Sequence, residues 1–98
     1  MSEKYGKFST GEVAGATSAT IMPTVTCTMV MIKALASNAG NVYLGDSTVT
    51  VVDGTTDVTS GWELDAGEET GWIPLDNLNR LYRICNNSGD DVVYFAIG

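Results

Sequence analysis

Histidine is absent from this 98-residue chain, and cysteine occurs only twice, at Cys27 and Cys85. Histidine and cysteine are the main zinc ligands of proteins, and the two cysteines do not form a C-x-x-C pair, so the sequence argues against a zinc site. Both cysteines lie in strand-like surroundings, which favours buried, reduced thiols over a disulfide. We expect the fold to need no metal and no cofactor.

Basic residues are also scarce, with five Lys and Arg against twelve Asp and Glu and a net charge of −7. This charge repels phosphate backbones and anionic lipids, so we expect neither nucleic acid nor a membrane as a partner. The chain has no apolar run of about 18 residues, and the segment MSEKYGKFSTGE lacks the apolar stretch of a secretory signal. These two absences predict a protein made in the cytoplasm.

Only 17% of the residues are charged, while 44% are hydrophobic. A small monomer cannot bury so much apolar surface by itself, so this balance predicts an oligomer or a subunit of a larger assembly. At this length the chain supports one hydrophobic core and hence one domain.

Short apolar runs separated by turn residues make up most of the sequence. Strands are predicted near 24–29, 42–44, 48–52, 62–64, 72–73, 80–85 and 92–97, with Asp53-Gly54 as a two-residue hairpin turn. Seven or eight such strands without a helical period predict an all-β fold, a small antiparallel β-sandwich or barrel of jelly-roll-like or immunoglobulin-like type. The last strand is apolar on both faces, which predicts a central position or an interface.

The first twenty residues lack this pattern, because they are rich in Gly, Ser, Thr and Ala. We therefore predict an extended, flexible N-terminal arm at 1–20 and a single β domain at 21–98. At roughly 3.3 Å per residue the arm could reach a neighbouring subunit. Met22, Met29 and Met31 follow the arm, and such flexible side chains suit either a partner surface or the core.

The acidic residues and the aromatic residues could each have either a functional or a structural role. Turn acids of a β-sandwich can gather into a calcium site or a glycosidase-like carboxylate pair. Here Asp is favoured in turns by hydrogen bonds to the nearby backbone, no calcium-loop motif is present, and 98 residues leave no insertion that would form a cleft. The aromatic residues Tyr43, Trp62, Trp72, Tyr82 and Tyr94 could form a sugar-stacking platform, but their alternating positions favour the core. The sequence therefore indicates no enzyme.

Three stretches carry a resemblance to a known group of proteins: KALASNAGNVYLGDSTVTV, GWELDAGEETGWIPLDNLNRLYRI and SGDDVVYFAIG. In this order and spacing they resemble small tailed-bacteriophage virion proteins encoded near capsid genes. The likeness covers roughly residues 33–98 and leaves the predicted arm outside. It implies a head decoration (cement) protein, a head-fibre base or a tail-associated β-sandwich module.

On this resemblance the expected function is to bind the outer surface of the assembled head and stabilise it, without catalysis, so that the protein resides on the capsid surface of the virion. The expected partners are the major capsid protein and further copies of the chain, as a homotrimer. The alternative is a carbohydrate-binding or tail- and fibre-associated module. Capsid contacts are expected at Tyr5, Lys7, Phe8, Val13, Ile21, Met22, Met29 and Met31, and oligomer contacts at Val93, Phe95 and Ile97.

Overall fold

The computed structural model describes residues 7–52 and 59–98. Within these ranges the chain forms eight β-strands and one three-residue 3-10 helix. The strands are β1 Phe8–Val13, β2 Thr20–Ile21, β3 Met29–Ala34, β4 Val42–Gly45, β5 Trp62–Leu64, β6 Ile73–Pro74, β7 Tyr82–Cys85 and β8 Val92–Ile97, and the 3-10 helix is Leu78–Arg80. The predicted all-β class is confirmed.

The strands form two four-stranded antiparallel sheets. Sheet A has the strand order β1-β8-β3-β6, and sheet B has the order β2-β7-β4-β5. Alternate residues of both sheets meet in one core, for example Val30, Ile32 and Val92 from sheet A and Val42 and Leu44 from sheet B. The strand Val92–Ile97 lies inside its sheet, as its two apolar faces predict.

The N-terminal segment departs from the prediction. Phe8 to Val13 pair with Ile97 to Val92 along the full length of β1, and Val13 is buried in the core. The residues that follow are also fixed, since Cys85 N–H donates to the carbonyl of Ala16 (2.7 Å) and Gly15 N–H donates to Asp91 Oδ1 (2.9 Å). The predicted arm is therefore wrong for residues 7–20, and residues 1–6 lie outside the described ranges.

The small side chains of this segment explain both its structure and the error. FSTGEV contains few bulky apolar residues, so its strand state comes from hydrogen bonding to β8 and not from a hydrophobic pattern of its own. The boundary predicted at residue 21 falls inside β2 and does not separate two parts of the fold.

Two local predictions also change. The strand expected at 24–29 starts only at Met29, because Val25 and Cys27 exchange hydrogen bonds with residues 75–78 instead of a sheet neighbour. The 48–52 run is irregular, and the Asp53-Gly54 turn lies outside the described residues. The 3-10 helix is capped by Asn77, whose side chain accepts from Asn79 N–H.

No helix in the described ranges is long and apolar enough to cross a membrane.

Candidate functional site: the outer face of sheet A

The most prominent surface feature is the side of sheet A that points away from the core. The register places Phe8 and Met29 on either side of Ile97, and Thr10 and Met31 on either side of Phe95. Directly opposed residues of antiparallel strands share a face of the sheet. We call the resulting surface the outer apolar face, and its members are Phe8, Met29, Met31, Trp72, Val93, Phe95 and Ile97.

Three aromatic rings in contact form the centre of this surface. The rings of Phe8 and Phe95 are stacked with centroids 5.4 Å apart, and the Trp72 ring meets Phe95 edge-on at 5.9 Å. Even so, Phe8 is 66% exposed, Trp72 45% and Phe95 42%. Rings that touch one another and remain this open form a continuous apolar patch, which monomeric proteins rarely leave uncovered.

Beside the rings the outer apolar face is concave. A groove of about 420 Å³ runs along β8, and its walls include Thr10, Met31, Val93 and Phe95. Charged groups stand only at its end, where Lys33 and Glu69 form an isolated antiparallel bridge between their backbones. A groove with apolar walls and charges at one end suits an apolar protein segment better than a charged ligand.

Glu12 extends the charged end of this face. It lies opposite Val93 in the register, in the same row as Lys33. The pKa of Glu12 is raised, first by a hydrogen bond with the Asp91 carboxyl group and then by desolvation and by repulsion from the same group. Glu12 thus keeps its proton to a higher pH than an isolated glutamate.

The outer side of sheet B is different, because residues 49–52, which follow β4, lie over it. Val49 is buried against Tyr43 and Ile84, and Val51 and Val52 pack at the edge of this second cluster. The Tyr43 hydroxyl donates to Glu63 Oε2 (3.2 Å), and Asn86 Nδ2 donates to the carbonyl of Val52 (2.8 Å). One sheet is therefore covered by the protein's own chain, while the other presents the outer apolar face.

The predicted site residues divide into three groups. Phe8, Met29 and Met31, expected to contact the capsid, lie on one face together with Val93, Phe95 and Ile97, expected to contact other copies. Val13 and Met22 are buried in the core, so their prediction as contact residues is wrong. Ile21 is exposed in sheet B, Lys7 is exposed just before β1, and Tyr5 lies outside the described residues.

The aromatic residues were predicted to lie in the core. Tyr43 is buried as predicted, but Trp62 and Trp72 are exposed, so the prediction is wrong for these two. Trp62 is 68% exposed at the end of edge strand β5, beside a cavity of about 210 Å³ lined by Leu44, Thr70, Ile73 and Leu81. Trp72 is missing from the predicted site. A sequence signal for its exposure is Pro74, because proline cannot donate a hydrogen bond within a sheet and therefore favours an edge strand.

The acidic turns serve the fold. In the described ranges no three acids and cysteines come close enough to hold a metal ion. Asp90 is buried, and its Oδ1 accepts from Ala39 and Gly40 N–H, while its Oδ2 accepts from the backbone and side-chain nitrogen atoms of Asn87. Both carboxylate oxygen atoms of Asp90 thus accept hydrogen bonds, and they connect the turn at 39–40 with the turn at 87–90.

Comparison with family models, with curated protein sequences and with solved structures found no match to this chain.

Proposed function

We propose that this protein is a non-enzymatic virion component that binds the outside of an assembled bacteriophage head through its outer apolar face and stabilises the shell. The observation that carries the proposal is the contrast between the two sheets: the outer side of sheet B is covered, while sheet A exposes three aromatic rings in contact. The identity of the shell rests on the resemblance of residues 33–98 to small tailed-phage virion proteins.

The charge of the molecule supports a protein partner. A net charge of −7 opposes binding to DNA, RNA or anionic membranes, whose surfaces carry the same sign. The centre of the outer apolar face carries no charge, and its charged groups, Lys33, Glu69 and Glu12, are at one end. An apolar centre with a charged rim is the usual composition of a protein–protein contact surface.

Binding of this kind stabilises a shell by linkage. A ligand that binds the assembled lattice, and not the separate subunits, adds RT ln(1 + [L]/Kd) per site, which is about 2.7 kcal/mol at a hundredfold excess over Kd. Because a head offers many equivalent sites, modest affinity at each site adds up to a large stabilisation of the particle. No chemical step is needed.

The residues predicted to contact the capsid and those predicted to contact other copies cannot all act independently. Phe8, Met29 and Met31 of the capsid set share one face with the oligomer set, so that face cannot contact the shell and further copies at the same point. The homotrimer through Val93, Phe95 and Ile97 and the finer jelly-roll-like or immunoglobulin-like assignment stay predictions.

The exposure of Trp62 and Trp72 favours one alternative, a carbohydrate-binding module of a tail or fibre. Sugar sites combine an aromatic platform with several converging polar groups. The Trp72 ring contacts Phe95, which is apolar, and the cavity beside Trp62 is lined mainly by aliphatic side chains. The lining of both places therefore fits a protein contact better than a sugar.

The test compares two exposed aromatic residues on different surfaces. Phe8→Ser removes a ring that is 66% exposed on the outer apolar face, and Trp62→Ser removes one that is 68% exposed elsewhere. Co-sedimentation with heads stripped of this protein should show weak binding for Phe8→Ser and for Phe95→Ser, and normal binding for Trp62→Ser. Circular dichroism confirms that each variant is folded.

The same particles report on stabilisation. Heads decorated with wild-type protein or Trp62→Ser should release DNA at a higher temperature than stripped heads, whereas heads mixed with Phe95→Ser should not. Equal release temperatures for stripped and decorated heads would refute the cement function. In that case a glycan array with Trp62→Ser and Trp72→Ser tests the carbohydrate alternative.

A further inference from the structure

The four sheet edges differ in length. Sheet A ends in β6, which has two residues, and sheet B ends in β2 and β5, which have two and three. Strands this short offer little backbone to another chain, which is one way in which proteins prevent unwanted pairing. The fourth edge, β1, is six residues long, and among residues 7–52 and 59–98 no strand pairs with its outer side.

The hydrogen bonds of β1 show which backbone groups point to that open side. Gly98 N–H donates to the carbonyl of Lys7 (3.2 Å), so Lys7 directs its backbone groups towards the end of β8. Backbone groups alternate in direction along a strand of an antiparallel pair. Ser9, Gly11 and Val13 therefore bond to β8, while Phe8, Thr10 and Glu12 point their N–H and C=O groups away from the sheet.

We propose that two copies of this chain associate by antiparallel pairing of their β1 strands. A twofold axis at Thr10 places Thr10 opposite Thr10, and Phe8 of each copy opposite Glu12 of the other. This register uses all three outward-facing residues. Since each such pair exchanges two hydrogen bonds, three pairs give six bonds across the axis. Centring the axis one residue away on either side would use fewer of them within β1.

The charges along the strand favour the antiparallel orientation. Lys7 lies just before β1, and Glu12 lies near its other end. Antiparallel pairing brings Lys7 of one copy to the end of the strand where Glu12 of the second copy lies, whereas parallel pairing would place like charges side by side. A second copy is therefore the occupant whose charge pattern fits this edge.

Pairing at β1 leaves the outer apolar face open. It joins two four-stranded sheets into one of eight strands, so the outer apolar faces of both copies lie on the same side and meet along the axis. A dimer of this form would present two faces to a shell at once, which raises its effective affinity. The inference rests on the strand edge and not on the proposed function, so either can fail alone.

The first test is analytical ultracentrifugation of the full chain over a range of concentrations. Thr10→Pro removes an N–H that points away from β8 and leaves the bonds to β8 intact, a position where edge strands accept proline. Thr10→Val keeps this N–H and is the matched control. Wild type and Thr10→Val should show a monomer–dimer equilibrium, and the dissociation constant of Thr10→Pro should be higher by about tenfold or more.

The second test fixes the register by cross-linking. In Thr10→Cys the new thiols of two copies face each other within the range that a disulfide bridges, so mild oxidation should give a covalent dimer. In Glu12→Cys they are separated along the strands, so this variant should remain a monomer on a denaturing gel. The native Cys27 and Cys85 are buried and do not interfere.

Two results would overturn the inference. One is a wild-type chain that stays monomeric at all concentrations, and the other is a trimer or dimer that Thr10→Pro leaves unchanged. In the second case the copies associate through another surface, for which the outer apolar face is the candidate, and Phe95→Ser should then abolish the association. Circular dichroism must first show that Thr10→Pro is folded, so that a change in its association can be attributed to the β1 edge.

Discussion

The Nε atom of Arg83 donates a hydrogen bond of 2.9 Å to the backbone carbonyl of Ala14, 69 positions earlier in the chain. Nη1 of the same side chain donates to the carbonyl of Ile21, also at 2.9 Å. The side chain is buried, and burial lowers the pKa of Arg83 while its neighbour Cys85 acts in the opposite direction. The guanidinium group thus ties the segment 14–21 to β7 through carbonyls and not through a carboxylate.

Arg83→Met should destabilise the fold strongly. The substitution keeps an apolar stem of similar length but removes the charged donor of the hydrogen bonds to the carbonyls of Ala14 and Ile21, a loss of about 2–4 kcal/mol in the free energy of unfolding. Arg80→Met is the control, because Arg80 forms an exposed ion pair with Asp76, a type that contributes little to stability. Urea denaturation measures both, and similar losses would contradict this role of Arg83.

A side chain at Gly15 should not be tolerated. A Cβ there would lie 2.6 Å from the carbonyl oxygen of Asp90 and 2.9 Å from that of Ser88, and backbone atoms cannot move aside as a side chain can. Gly15→Ala should therefore lower the melting temperature, with a loss of roughly 1–3 kcal/mol.

Gly89→Ala is the matched control for Gly15→Ala, since nothing lies within 4 Å of its Cβ position. Its effect should stay within about 0.5 kcal/mol. Equal melting temperatures for the two variants would show that the turn at 88–90 can move away from Gly15.

The carboxylate of Asp90 should make the free energy of unfolding depend on pH in the acid range. Burial raises the pKa of Asp90, but the N–H groups of Gly40, Asn87 and Ala39 outweigh burial, and the net pKa lies below that of an ordinary aspartate. An acid with a lowered pKa in the folded state contributes stability that is complete above its unfolded pKa and is lost as the pH falls through the folded value. Unfolding free energies measured by urea should therefore fall below about pH 4.

Asp90→Asn tests the assignment of this acid dependence. Asparagine keeps one acceptor but turns an NH₂ group towards the donors of Asn87 or Gly40, so we expect a loss of about 1–3 kcal/mol at neutral pH. The variant should also show a smaller fall below pH 4 than wild type. If Asp90→Asn loses as much stability below pH 4 as wild type does, other carboxyl groups cause this loss.

Neither native thiol should react in the folded protein. Cys27 and Cys85 are both buried and unpaired, and burial is the main cause of the raised pKa of each thiol. Because the thiolate is the reactive form, labelling by a thiol reagent should be very slow in buffer. Two thiols per chain should react once urea unfolds the protein, and rapid labelling in buffer would contradict the burial of these side chains.

The sequence predicts strands well where their side chains reveal them. In Val92–Ile97 both faces are apolar, which correctly indicated an interior strand. β1 was missed because an edge strand can be built from small and polar residues when its neighbour supplies the hydrogen bonds. The run 48–52 shows the opposite case, since its β-branched residues suit a strand but serve as a cover over Tyr43 and Ile84.

The candidate site was predicted in pieces. Phe95 was expected at an oligomer contact because its strand is apolar on both faces, and Met31 at a capsid contact because it is a flexible side chain that follows the predicted arm. Only the strand order, which brings β3 and β1 to opposite sides of β8, places Met31 and Thr10 next to Phe95. Exposure of Trp62 and Trp72 depends in the same way on edge positions, and strand order leaves little trace in a single sequence.

The difference between the two sheets gives the molecule a front and a back. Its front can adhere to an apolar surface, while its back is closed by residues 46–52 and 59–61 and carries acidic side chains such as Asp46 and Glu63. In a coat bound through the proposed contact, the acidic backs would face outward and repel further molecules of the same charge. The thickness of the coat would then be that of one molecule, without a separate signal to end deposition.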